Sequence, residues 1–424
     1  MTPDLPVELW QEILSLLPPH HVRKLIGVSR ILFRMAMEDI YRELRFKSDD
    51  ELMMKTFQKL KYPEFLADVE EENVVLKKSS KLWTWTSTKF RVQNLPKIIP
   101  HPSASILKVA GEVIPHCSET KSVKFVLHEF VAPTLFRPFL NTVFTSLGPR
   151  LHTLTVELTL FNSQLILDKN FSSALHSLAE LKVIFAPSST FRPFEEVSLD
   201  KSLASFVSGL EKTLQCLSIT FSTFVDMSTF FSSVCRLSRL RIFILDMTFV
   251  EFLYSEQEQS LAHFLFKHQK TLEHLCIRKQ PSRTTINDGD HLSLPDLPDL
   301  GFEFPVLHTL EFSVLSSSHL HVICEWFKNA SPQGLRLLES LTLFKHSLTL
   351  DDASILFEAL GATGASDGLQ KLTMKVQSLD SELMDLFASR LPALRELELL
   401  YNHYRLEDDR VRGQPYFELG MFIV

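Results

Sequence analysis

At 424 residues the chain exceeds what one hydrophobic core usually holds, so two or more domains or one elongated array is expected. Hydrophobic residues at 45% and charged residues at 22% describe a globular chain, and the use of 34 Phe against only 12 Gly argues against an enzyme that builds its site on glycine turns. The net charge of -7 is spread over interspersed acids and bases, which excludes the long basic field that a nucleic-acid backbone requires.

The first elements are expected to be helices. Pro6 fits a first turn, where its missing N–H costs little, and Leu9, Trp10, Ile13, Leu14 and Leu17 recur along one stripe until Pro18 and Pro19 stop it. Val22, Leu25 and Ile26 fit a short second helix closing at Gly27. Ser29 can cap a third, with a stripe of Leu32, Phe33, Ala36, Met37, Ile40, Tyr41 and Leu44. Three helices in about 45 residues hide too little surface to fold alone, and their contiguous apolar surplus marks an interface.

These residues also carry a family pattern. The run Leu5-Pro6-x-Glu8-Leu9-x-x-x-Ile13-Leu14-x-x-Leu17-Pro18, then Val22-x-x-Leu25, then Val28-Ser29-Arg30 and Phe33, resembles the F-box over residues 4 to about 46. That motif docks substrate receptors onto the Skp adaptor of cullin-RING ubiquitin ligases. The resemblance implies that Leu5, Pro6, Leu9, Ile13, Leu14, Leu17, Val22, Leu25, Val28 and Phe33 enter a hydrophobic groove on the adaptor. The chain departs from the family at His21, where an acidic residue is usual, and at Ser29 and Leu32, where Cys or Trp is common.

Residues 47–119 read as irregular connecting repeats, with a helix over Asp50–Leu60, a short strand at "NVVL" and a helix over Ser103–Ile114. From residue 120 to 424 the frame L-x-x-L-x-(L/I/V/F/M) recurs. It starts at Leu151, Leu178, Leu214, Leu237, Leu272, Leu307, Leu338, Leu369 and Leu394, at intervals of 23 to 36 residues, with a weaker copy at Thr120. Within a unit the period changes: Leu203, Phe206, Val207 and Leu210 fall at helical offsets, and Leu217, Ile219 and Phe221 then alternate as a strand does. Leu383, Leu386 and Phe387 followed by Leu397 and Leu399 repeat the change. Each unit is a helix and a strand that cannot hide its apolar faces alone, so neighbours must stack.

The expected class is therefore α/β: a small three-helix F-box at residues 1–46, then an irregular solenoid similar to leucine-rich repeats, with parallel strands on the concave side and helices on the convex side. The place where such repeats usually carry Asn or Cys holds Asn only at Asn402. Elsewhere it holds Thr159, Ala186, Ser222, Leu245, Gln280, Leu315, His346 and Gln377, so the array should be divergent. Two polar, proline-broken stretches, Ala186–Lys201 and Lys279–Pro305, are expected to project from the rim.

No spacing-dependent catalytic or metal motif is present. His263, His268 and His274 lack an H-E-x-x-H arrangement, and His20 and His21 read as a solvated helix start. Gly361–Gly368 leads from helix to strand and reads as a turn rather than a phosphate loop, and Asp351 and Asp352 suit a helix cap. Cys117, Cys216, Cys235, Cys276 and Cys324 form no C-x-x-C pair and read as core thiols of a reducing compartment. Asp4, Glu8 and Glu12 interrupt any secretory leader, and no apolar run is long enough to span a bilayer, so a cytoplasmic or nuclear protein without membrane contact is expected.

In the strand frame the third, fifth and seventh places point out of the sheet. They include Arg239, Arg241 and Phe243, then His274, Cys276 and Arg278, a basic patch with an aromatic beside it. Flanking units offer Thr309, Glu311 and Ser313, or Glu396 and Glu398. Charge-assisted pairing of those arginines with an acidic or phosphorylated client is the expectation. With the family resemblance, this describes a non-catalytic, cofactor-free substrate receptor that binds a Skp-type adaptor, through it a cullin, and an unidentified protein client. A repeat scaffold outside ubiquitin transfer is the open alternative.

Overall fold

The computed structural model describes residues 9, 12, 43–46, 81–86, 104–116, 120–127, 133–186, 199–221, 226–249, 254–281, 303–314, 317–329 and 334–404. They fall into two compact units, one within Met1–Ile166 and Ala174–Leu178, the other within Leu167–Ser173 and Ala179–Val424.

The first unit carries strands β1 (Glu43–Phe46), β2 (Lys81–Thr86), β3 (Thr120–Leu127) and β4 (Thr153–Leu158), each paired in parallel with the next. Its helices are α1 (Ala104–Val113), α2 (Pro133–Leu147) and α3 (Leu160–Ile166). The expected helix over Ser103–Ile114 is α1, and the weak copy at Thr120 is a full repeat strand, with Val123 level with Leu154. Two expectations change. Leu44, placed on a helical stripe, lies in β1, and β2 was not anticipated although "KLWTWT" combines aromatic and β-branched residues that favour strands. Phe125 packs against Phe136 and Phe144 at ring-centroid distances of 6.5 and 6.1 Å. The turn after β3 is closed by Asn162, whose Nδ2–H donates to the Leu127 carbonyl at 3.1 Å. Thr159, expected at the turn place, gives only its backbone N–H to that same oxygen.

The second unit begins with α4 (Lys169–Ser172) and alternates strand with helix from there: β5 (Glu180–Phe185), α5 (Leu199–Ser208), β6 (Cys216–Phe221), α6 (Ser228–Ser233), β7 (Ile242–Phe249), α7 (Tyr254–His268) and β8 (His274–Pro281). After β9 (Thr309–Val314) come α8 (Ser317–Asn329), β10 (Ser340–Lys345), α9 (Leu350–Ala362), β11 (Lys371–Leu379), α10 (Ser381–Arg390) and β12 (Glu396–Tyr404). Every described neighbour pair from β5 to β12 is parallel, which requires a crossover on the way to the next strand, and at every step but that from β8 to β9 a described helix supplies it.

Register explains the core. Leu181, Leu217, Phe243, Leu275, Leu310, Leu341, Leu372 and Leu397 lie level on successive strands, and none is more than 1% exposed. These residues face the helices, while the alternate residues form the open face of the sheet. Phenylalanine fills the gap between layers: Phe185 stacks on Phe221 at 4.6 Å, and Phe264 of α7 lies 4.8 Å from Phe243 and 5.6 Å from Phe231.

That register corrects one frame. Leu237-x-x-Leu240-x-Ile242 satisfies the repeat pattern, but pairing of Phe243 with Leu217 and Leu275 places the unit at Leu240-x-x-Phe243-x-Leu245, where Phe replaces the second leucine. Phe243, expected on the exposed face, is therefore core, and half-buried Ile242 and Ile244 take the open face.

Loop ends are fixed by local chemistry. Gly364, at φ 70°, ends α9 in the left-handed region that favours glycine, so Gly361–Gly368 is a helix-to-strand turn as expected. Thr349 and Asp352 form a reciprocal capping box at the start of α9. Gly209, after α5, passes so close to Ser172 that a Cβ there would collide with its hydroxyl, which is already tied to the Lys169 carbonyl at 2.7 Å.

Candidate functional site

The open face of the second unit is read in columns. From β8 to β12 the first holds His274, Thr309, Ser340, Lys371 and Glu396, and the second Cys276, Glu311, Thr342, Thr373 and Glu398. A third, by alternation, holds Arg278, Ser313, Phe344, Lys375 and Leu400. Several of their polar groups pair with one another across the strands.

Arg278 Nη2 lies 2.8 Å from Glu311 Oε2, and its guanidinium sits 5.5 Å from the centre of the Phe344 ring. The Cys276 S–H donates to the same Glu311 oxygen at 3.2 Å. Lys371 Nζ is 2.9 Å from Glu396 Oε2, and the Thr373 hydroxyl donates to Glu398 at 3.2 Å. A concavity of about 310 Å³ opens on this face, lined among others by Arg278, Glu311, Phe344, Lys345, Lys375 and Leu400.

The anticipated basic patch is placed differently. Arg239 and Arg241 are exposed but precede β7, Arg241 pairs with Glu273 at 3.5 Å, and Phe243 is buried. His274 and Arg278 do lie on the open face, yet Arg278 is committed to Glu311. The uncompensated basic character lies two and three strands further on. The same frame, read at Leu338 and Leu369, places Phe344 and Lys375 at seventh positions, so both were available to sequence reasoning. Lys345 was not, because it follows the strand pattern's last place.

Of the residues expected to contact an adaptor, Leu5, Pro6, Ile13, Leu14, Leu17, Val22, Leu25, Val28 and Phe33 lie outside the described residues. Leu9 is described: it is helical and 44% exposed.

One Ser/His/Asp cluster escaped the sequence because its members are 29 and 35 residues apart. Ser317 Oγ is 3.2 Å from His346 Nε2 and 3.2 Å from Asp352 Oδ2. The arrangement is unsuited to acyl transfer. A carboxylate only accepts, so the single hydroxyl proton points to Asp352 and His346 must donate to Ser317, the reverse of a general base. Asp352 also accepts the Thr349 N–H at 3.0 Å, which makes the cluster a brace for the α9 cap.

The thiols are equally unsuited to nucleophilic work. Burial pushes Cys216 up to about 11 and both Cys276 and Cys324 up to about 12, with the Glu311 carboxylate adding to the effect at Cys276. Cys117 lies outside the described residues. Among the described residues no His, Cys, Asp and Glu converge to hold a metal ion, and no helix is long and apolar enough to cross a membrane.

No family model and no curated protein matches the chain. Among solved structures it is similar to one described as "Crystal structure of Rad7 and Elc1 complex in yeast", at 12% identity and a TM-score of 0.40, over 100% of this chain and 98% of that one. A likeness of that degree bears on neither site nor partner.

Proposed function

We propose that this protein is the substrate-recognition subunit of a cullin-RING ubiquitin ligase. Its N-terminal F-box-like segment docks on a Skp-type adaptor, and its repeats hold a protein client. Ubiquitin transfer is performed by other subunits, and this chain contributes proximity, turning a bimolecular encounter between client and charged conjugating enzyme into a local one. The observation that carries the reading is Leu9, an apolar side chain at an F-box contact position that is 44% exposed on a helix. The open sheet face, rich in polar pairs around a concavity, supports a binding role.

Co-expression of the full chain with a Skp adaptor tests it. The wild type co-elutes with the adaptor, Pro6→Ala weakens the complex and Leu5→Asp abolishes it, while all three fold alike. Failure of the wild type to co-elute with every Skp homologue offered overturns the reading.

A further inference from the structure

We propose that the concavity between β8 and β12 is the client-reading site, and that it recognises carboxylate side chains of an acidic, unmodified peptide segment through Lys345 and Lys375. This rests on the receptor reading above and assigns the class of client.

The concavity is lined by four basic side chains, Arg278, Lys345, Lys371 and Lys375, against two acidic ones, Glu311 and Glu398. Internal pairing removes two of the four: Arg278 is bound to Glu311 at 2.8 Å and Lys371 to Glu396 at 2.9 Å. Glu398 takes the neutral Thr373 hydroxyl and keeps its charge, so the two remaining lysines outnumber one uncompensated acid. Lys345 and Lys375 make no side-chain hydrogen bond or ion pair among the described residues, although Lys375 is half-buried. An ammonium that has no partner in its own chain is free to take an arriving carboxylate in a charge-assisted hydrogen bond.

The backbone adds an independent observation. Lys345 has φ 80°, and the His346 N–H donates to the Phe344 carbonyl at 3.2 Å, which closes a γ-turn of the strained, left-handed kind. Glycine would occupy this position without the steric cost that lysine bears there. The strain holds a cation at the rim, directly after the aromatic ring of Phe344.

The chemistry selects the occupant. Glu311 and Glu398 line the same concavity and the chain carries a net charge of -7, so a continuous polyphosphate is repelled more strongly than a few separated carboxylates. Phe344 and Leu400 supply an apolar floor, which suits an apolar side chain between acidic ones on an extended peptide.

Panning a random-peptide phage library on the immobilised full chain tests the proposal. Wild type selects peptides enriched in Asp and Glu over the unselected library, and a fluorescein-labelled selected peptide binds about tenfold or more weakly to Lys345→Glu/Lys375→Glu. Arg241→Gln, outside the concavity, leaves its binding unchanged. Recovery of no peptides, selection without acidic enrichment, or tight binding retained by the double variant overturns the proposal, as does displacement of the peptide by an oligonucleotide at lower concentration than by a second acidic peptide. Should the double variant misfold, Lys375→Gln gives the same reading through a weakened dependence of peptide affinity on salt. Adaptor binding is measured on the same material. Adaptor bound without acidic selection refutes the client assignment alone, and acidic selection without adaptor refutes the ubiquitin-ligase reading.

Discussion

His268, the last residue of α7, gives the fold a pH dependence that can be worked out from its contacts. The ring is 1% exposed and packs 4.4 Å from Phe264. Its Nε2 accepts the Leu237 N–H at 2.9 Å, and its Nδ1–H donates to the Phe264 carbonyl at 2.7 Å, so the native state needs the neutral imidazole. Burial pushes its pKa down to about 4 from 6.5, with Lys267 and Arg236 adding repulsion, against the hydrogen bond to the Phe264 carbonyl, which favours the charged ring. The unfolded chain therefore binds more protons than the native one between those two values. The contribution is complete above about pH 6.5 and is lost as pH falls toward 4. A gap of that size corresponds to about 3 kcal/mol in full, of which about 2 kcal/mol is gone by pH 5. Urea unfolding followed by circular dichroism at pH 7.5 and pH 5, for wild type and His268→Gln, isolates it. Glutamine can donate and accept but does not titrate, so wild type should lose about 2 kcal/mol more than the variant on acidification. Equal losses in the two proteins would refute the reasoning.

Phe243→Ala should cost about 3–5 kcal/mol by urea unfolding, whereas Arg239→Ala and Arg241→Ala should each stay within about 0.5 kcal/mol, because the ring is core and the guanidinium groups are solvated. Gly209→Val should destabilise by about 1–3 kcal/mol, since its side chain meets the tethered Ser172 hydroxyl, and Gly209→Val combined with Ser172→Gly should recover part of the loss in the same assay. Cys276 and Cys324 should resist iodoacetamide in the native protein at pH 7.5 and react once urea unfolds it, as mass spectrometry of the alkylated peptides will read. Leu9→Asp should leave the thermal midpoint of the isolated chain unchanged within error and abolish adaptor co-elution.

The repeat frame was legible in the sequence because burial in a parallel array is dictated by a strict alternation that each unit renews. Leu217, Leu275 and Leu341 stand where the pattern places them. It failed at Leu237 because Leu237-x-x-Leu240-x-Ile242 satisfies the pattern while the observed unit, three residues on, carries Phe243 in place of its second leucine, and only pairing with the strands on either side reveals it. The error moved Phe243 to the wrong face and drew the candidate patch toward Arg239 and Arg241. Polar partners were less legible still. Asn162 and His268 close their turns from helices that a strand-centred frame does not describe, and the pairing of Arg278 with Glu311 depends on which strands become neighbours across 33 residues. The strained turn at Lys345 has no sequence signal, since a lysine announces no left-handed backbone.

The central claim is that the N-terminal aliphatic stripe is completed by a second polypeptide. Titrating purified Skp adaptor into the full chain in a calorimeter tests it most directly. A saturable one-to-one complex, with the negative heat-capacity change of apolar burial and lost on Leu5→Asp, is the predicted result. No binding heat at any temperature, or equal binding by Leu5→Asp, would contradict it.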